Sequence, residues 1–294
     1  MLPILPVFTF LTIFRRKRER KERFSIFDVK KSERPMFPKL RFLVHLDGLC
    51  KLVALQRLKQ MYGMYISGGR KTMDAKTVPQ NRLCTFYQDY LITQDSSLFV
   101  RLVGAFYSQP TLLRLATSSH PVSRRAAAVA LTYLGDYRAN HVFGRMLHDD
   151  DQTVRLLAEI GIKNLWPRDG DDRHRNRLRT IMRLNTAEQF QEAIHQTDSL
   201  LDEFPEYAEA WNQRGIANFG LKKYEDMIED AYATLNLNPF HFGAATGMGH
   251  AYLQLRDWMT AIDCYQLALE INPNLKTLRE TIAKISGEWK VKLH

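Results

Sequence analysis

FQEAIHQTDSLLDEFP at residues 190–205, YEDMIEDAYATLNLNP at 224–239 and WMTAIDCYQLALEINP at 258–273 are one pattern written three times, 34 residues apart. Phe190, Tyr224 and Trp258 stand in step. So do Ala193/Met227/Ala261, Ile194/Ile228/Ile262, Thr197/Ala231/Tyr265, Leu201/Leu235/Leu269 and Pro205/Pro239/Pro273. Within each copy the positions run i, i+3, i+4, i+7 and i+11 before a proline, which is one face of an amphipathic helix followed by its stop signal. Such a helix buries its stripe only by stacking on neighbours, so the spacing predicts an all-α solenoid of helix pairs.

The whole chain has 294 residues, 45% of them hydrophobic and 25% charged, which is ordinary for a globular protein of one or two domains. Its net charge of +10 resembles a nucleic-acid signal until it is located. Residues 1–60 carry 15 Lys/Arg against 5 Asp/Glu, and the remainder holds 27 of each sign. Electrostatic attraction to nucleic acid or anionic lipid therefore belongs to this leader. Cys50, Cys84 and Cys264 are scattered without a C-x-x-C pair, which argues against a disulfide framework or zinc site and for a reducing, cytoplasmic setting.

Residues 1–81 read as a basic leader and linker. Met1–Phe14 is apolar and precedes the basic run Arg15–Arg23, the reverse of a secretory signal, and it is too short to span a bilayer. Two readings stay open: a peripheral membrane anchor with its basic stripe on anionic lipid, or a disordered leader with one short helix at most. Gly63–Thr72 departs from a phosphate-binding loop because Gly69 and Arg70 separate Gly68 from Lys71-Thr72.

From Arg82 the helical period is sustained. Leu98, Phe99, Leu102, Val103 and Phe106 form a stripe after the cap-like Asp95. Two later units, Arg125-Ala-Ala-Ala-Val-Ala-Leu131 and Val154-Arg-Leu-Leu-Ala158 behind the acidic turn Asp149-Asp150-Asp151, resemble a pair of HEAT-type repeats over Leu112–Trp166. That resemblance implies helix pairs over 82–166. Trp166-Pro-Arg-Asp-Gly170 marks a boundary so short that the two arrays are expected to continue as one solenoid.

The copy at Ala208–His241, with Trp211, Gly215, Tyr224, Ala231 and Pro239, resembles a tetratricopeptide repeat. The copy at Phe242–Leu275, with Gly249, Tyr252, Ala261, Tyr265, Ala268 and Pro273, resembles another, and His174–Tyr207 is similar in its second helix. The resemblance implies three repeats over 171–275, a capping helix over 276–294, and kinship with bacterial proteins that join HEAT-type and tetratricopeptide modules. It also implies a protein-interaction scaffold whose first helices line a groove. The groove candidates carried over by position are Arg175, Arg179, Asn212, Ile216, Phe219, Thr246, His250 and Leu253. The basic clamp of some family members is represented only by Asn212 and Arg179, so an amphipathic helix or extended peptide is the expected occupant.

The sequence offers no nucleophile or base constellation, so neither an enzyme nor a cofactor is expected. No histidine pair has metal-ligand spacing; His148-Asp149-Asp150-Asp151 is the one His/carboxylate cluster, and its acids read as helix-start residues. Two alternatives remain. One is a nucleic-acid or anionic-membrane adaptor using the leader and the arginines at 173–183, and the other is an accessory factor assisting an enzyme or cofactor attachment. The oligomeric state is not legible.

Overall fold

A computed structural model describes residues 82–292, with side chains to residue 287. The readings made for residues 1–81 fall outside what is described, as do the side chains of the capping helix beyond residue 287 and residues 293–294. Among the described residues every regular element is a helix. The first six are α1 (Arg82–Thr93), α2 (Ser96–Phe106), α3 (Gln109–Leu115), α4 (Pro121–Leu134), α5 (Asn140–Met146) and α6 (Gln152–Leu165). A 3-10 turn at Trp166–Arg168 follows. The rest are α7 (Asp172–Thr186), α8 (Phe190–Glu203), α9 (Ala208–Gly220), α10 (Tyr224–Leu237), α11 (Phe242–Gln254), α12 (Trp258–Ile271) and α13 (Lys276–Lys292).

Local chemistry starts these helices where polar residues precede the apolar stripes. Asp95, Asp151 and Asp257 each accept a backbone N–H from the first turn of α2, α6 and α12. Asp171 and His174 form a reciprocal capping box at α7.

In the first array α4 is central, lying against α1, α2, α3 and α6. Its run Ala126–Leu131 is buried throughout, because alanine lets helices approach closely on several sides at once. Copies are tied at their turns by arginines. Arg124 donates to both carboxylate oxygens of Asp149 at 2.7 and 2.8 Å and to the carbonyls of Ser118 and Ser119. Arg155, 31 positions on, donates to the carbonyls of Asp149 and Asp150 at 2.7 and 3.0 Å. Arg125 pairs with Asp151. The acids of the predicted helix start thus cap α6 and join the copies together.

In the second array the first helices of the pairs, α7, α9 and α11, alternate with α8, α10 and α12. Each helix touches its neighbours in order, and α9 also touches both α7 and α11. The stripe residues Ala193, Met227, Ala261, Thr197, Ala231, Tyr265 and Leu235 are buried. Gly249 is required where α11 meets α12: a Cβ there would stand 2.5 Å from the Tyr265 ring. The turns after the first helices share one conformation, with φ of 57°, 62° and 61° at Glu188, Lys222 and Arg256. In each the next N–H closes on a carbonyl five residues back, at 2.8–2.9 Å, which satisfies the helix C-terminus.

The two arrays also meet side on, a relation that end-to-end stacking does not anticipate. Asn140 donates to Asn238 at 2.9 Å across 98 residues, and Asn274 donates to the Arg155 carbonyl at 3.2 Å across 119. His141 meets Phe240 edge-on, and Gly144 gives room for that ring, since a Cβ would lie 2.3 Å from it. Trp166 stacks on His241 with ring centroids 3.8 Å apart. α5, α6 and the 3-10 turn therefore reach along the proline turns of the second array. Meanwhile Asn176, Arg179 and Arg183 on α7 are exposed at positions where α9 and α11 bury Ala210/Ala244, Gln213 and Ala217/Ala251. A polar outer face is what a terminal repeat needs.

Candidate functional site

The face predicted to receive a partner is built by α7, α9 and α11. Asn212, Ile216 and Phe219 share one side of α9, and Thr246, His250 and Leu253 repeat that side on α11 in 34-residue register. All six are half-buried, held in place by the array yet open on one side. Arg175 and Arg179 stand in other columns, those of Glu209 and Gln213. Arg175 turns to the carbonyls of Arg168 and Gly170 and to Asp172, and Arg179 bonds Asn176 within its own helix. The α7 residue in register with Ile216 and His250 is Met182, half-buried. The 34-residue period marks it as a candidate that the family motif alone had missed.

Each polar member of this face is oriented from behind. Asn212 donates to Glu209 at 3.1 Å, and Gln213 donates to the same oxygen at 2.7 Å. Gln213 accepts in turn from Asn185 of α7 at 2.9 Å. The other Glu209 oxygen lies 2.9 Å from His241 Nε2. Because His241 Nδ1 accepts the Ala244 N–H at 3.0 Å, Nε2 carries a proton, which it donates to Glu209. Asn185, Glu209, Gln213 and His241 are all buried, so the network joins three first helices and ends on Trp166 of the other array. No sequence signal pointed to it, because its members share neither a column nor a motif.

His250 Nδ1 lies 2.6 Å from the Tyr265 hydroxyl, and burial lowers its pKa to about 4, so the imidazole is neutral at physiological pH. Cys264 beside Tyr265 is buried and its thiol is pushed well up by that burial, which is the opposite of a reactive thiolate. With α11 carrying no Lys, Arg, Asp or Glu, the face is uncharged over α9 and α11 apart from the buried Glu209 and from Arg214.

The second helices contrast with it. α8, α10 and α12 hold ten carboxylates and neither lysine nor arginine. Arg214 of α9 bridges two of these helices, 2.7 Å from both Asp198 and Asp230, while its guanidinium covers the Trp211 ring. Burial raises the Asp230 carboxyl pKa even with Arg214 and Asn218 bonded to it.

Of the five arginines at 173–183, Arg173 and Arg177 pair with Glu203, and Arg175 and Arg179 are held as described above. Among the described residues no group of three His, Cys, Asp or Glu could hold a metal ion, and no helix is long and apolar enough to cross a membrane.

A tetratricopeptide repeat family model matches residues 244–275. A TPR repeat-containing protein of Rhizobium etli is 34% identical over 86 residues, 27% of this chain, and the match spans 42% of that curated relative's length. Among solved structures, the first TPR of Spaghetti (RPAP3) bound to an HSP90 peptide is 23% identical, covers 40% of this chain and 93% of its own, and superposes with a TM-score of 0.38. MamA from Desulfovibrio magneticus is 18% identical over 66% of this chain and 98% of its own, with a TM-score of 0.34. The segment 244–275, which runs from the first turn of α11 through α12 and the turn after it, is a tetratricopeptide repeat.

Proposed function

We propose that this protein is a non-catalytic interaction scaffold that takes a peptide or helix of a protein partner on the face of α7, α9 and α11. The observation that carries this reading is the register of Asn212, Ile216 and Phe219 with Thr246, His250 and Leu253. These six half-buried side chains present three apolar and three neutral polar groups, and Asn212, Thr246 and His250 are each hydrogen-bonded within the array. Such a face suits an amphipathic helix or extended segment, which supplies apolar anchors and main-chain hydrogen bonds. Residues 82–166 act as HEAT-like helix pairs that buttress residues 171–275, a reading supported by the equivalent turn-capping of Arg124 and Arg155. Four of the five arginines of α7 are spent on internal bonds, which weighs against a phosphate-binding helix.

The test is site-specific photo-crosslinking in the native host. A benzoylphenylalanine at Ile216 or Leu253 is expected to capture the same protein, while one at the exposed Gln191 of α8 captures none. Equal capture from all three positions, or a partner lost as salt rises to physiological strength, would sink the groove reading and favour a charge-driven adaptor.

A further inference from the structure

Glu209 is buried, 5% exposed, behind the partner face, and hydrogen bonds anchored on the backbone fix its state. The Gln213 carbonyl can only accept, so Asn185 turns its Nδ2 toward it, at 2.9 Å. The same Nδ2 donates to Gln213 Oε1, which leaves Gln213 Nε2 to donate to Glu209 Oε1. On the other side the Ala244 N–H occupies His241 Nδ1, so His241 Nε2 donates to Glu209 Oε2. Both oxygens of Glu209 accept, and neither holds a proton. Its three donors, Asn212, Gln213 and His241, are all neutral, and among the described residues no lysine or arginine pairs with it. Arg214 is taken by Asp198 and Asp230, and Arg175 by Asp172 and the Gly170 carbonyl. Glu209 stands in the first turn of α9, where the helix dipole offsets part of the cost of burial but supplies no counter-ion.

A buried charge of this kind keeps a field that water screens poorly. Asn212 links it to the surface. Because its Nδ2 turns to Glu209, its Oδ1 turns away from the carboxylate, and among the described residues nothing donates to that oxygen. Thr246, 34 positions on in the same column, gives its hydroxyl proton to the Phe242 carbonyl and is left as an acceptor. We infer that the face selects a partner segment with a lysine or arginine set over Asn212, beside the apolar groups of Ile216 and Phe219, with Glu209 as the specificity-determining residue. This rests on the reading of that face as the partner site. The partner's cation donates to Asn212 Oδ1 and has Glu209 as its counter-ion behind that amide. An aspartate or glutamate in its place meets only acceptors and a like charge, so an acidic segment is rejected.

The experiment selects a randomised peptide library against the full-length protein and, in parallel, against Ile216→Asn. Peptides that the variant loses are those seated on the face. They are expected to share a lysine or arginine next to apolar residues. In synthetic copies, norleucine at that position should weaken binding about tenfold, and glutamate more. The gap between lysine and norleucine peptides should narrow in Asn212→Leu and close in Glu209→Gln. Asn212→Leu leaves the buried network its other donors, so the answer does not hang on whether Glu209→Gln folds. Face-seated peptides that lack a basic residue, or a lysine preference that neither variant alters, would overturn the inference and leave the groove reading standing. A library that yields no peptide sensitive to Ile216→Asn would overturn the groove reading and this inference with it.

Discussion

Residues 82–168 and residues 172–292 both stack helix pairs, yet they join successive copies with different bonds. In the first array guanidinium groups reach from one turn to the next, as Arg124 does to Asp149 and to the Ser118 and Ser119 carbonyls. In the second, rings sit over glycines and a buried amide and carboxylate network passes between first helices. The ionic joints lie at the turns, mostly shielded from water, where the attraction is partly offset by the cost of desolvating both charges. The packed joints lie inside, and they hold the face of α9 and α11 in place without using it. The array whose joints are internal is the one whose half-buried face we propose for a partner.

The sharpest way to break this comparison is to charge an internal joint. Ala261→Glu puts a carboxylate where the side chain has 0% exposure, and a loss of about 4 kcal/mol in urea denaturation is expected. An unchanged midpoint would mean that the stripe register is wrong. Gly144→Val drives a side chain into the Phe240 ring, and a cost of about 2–3 kcal/mol is expected. Calorimetry should then resolve two transitions in place of one, since the contact between arrays is what it removes.

Acid gives a third measure, of similar size but graded with pH. His250 falls from its ordinary 6.5 to about 4 on burial, so the unfolded chain binds a proton between those values that the folded chain refuses. Stability is therefore full above pH 6.5 and is lost as pH falls toward 4, by up to about 3 kcal/mol. In His250→Gln the pH dependence of the urea midpoint over that window should flatten. Weaker still, Asp149→Asn in the ionic joint should cost about 1–2 kcal/mol, because Arg124 keeps its carbonyl acceptors. At the bottom of the scale, Arg183→Ala on the open end of α7 should change stability by under about 0.5 kcal/mol. A larger change would show that the end face is covered by something else.

The two regions were not equally readable. The second array repeats the side chains that touch across its joints, so columns such as Ala193/Met227/Ala261 expose both period and face. In the first array Arg124 and Arg155 do the same work on Ser118-Ser119 and on Asp149-Asp150. The acceptors there are backbone carbonyls, which every residue carries, so only the donors, two arginines 31 positions apart, mark the equivalence in the sequence. All eight residues of the candidate face were carried over from the tetratricopeptide resemblance; the 34-residue period keeps Asn212, Ile216, Phe219, Thr246, His250 and Leu253 in shared columns, adds Met182 to them, and puts Arg175 and Arg179 in others.

By itself the sequence determined that residues 82–292 are helical, that the repeats after residue 189 are 34 residues long, and which side of α8, α10 and α12 is buried, because helix periodicity and stacking are properties of side-chain order along one chain. Phe106, placed in the stripe of α2, is exposed instead. Only the tertiary structure decided three further things. Glu188, Lys222 and Arg256 adopt one left-handed turn although one is an acid, two are bases and none is a glycine. Glu209 and His241 are buried together beneath Trp166, and α5 and α6 lie along the turns of the second array. Each of these joins residues by position in space, through backbone shape or through contacts between distant parts of the chain, and no local spacing encodes such a contact.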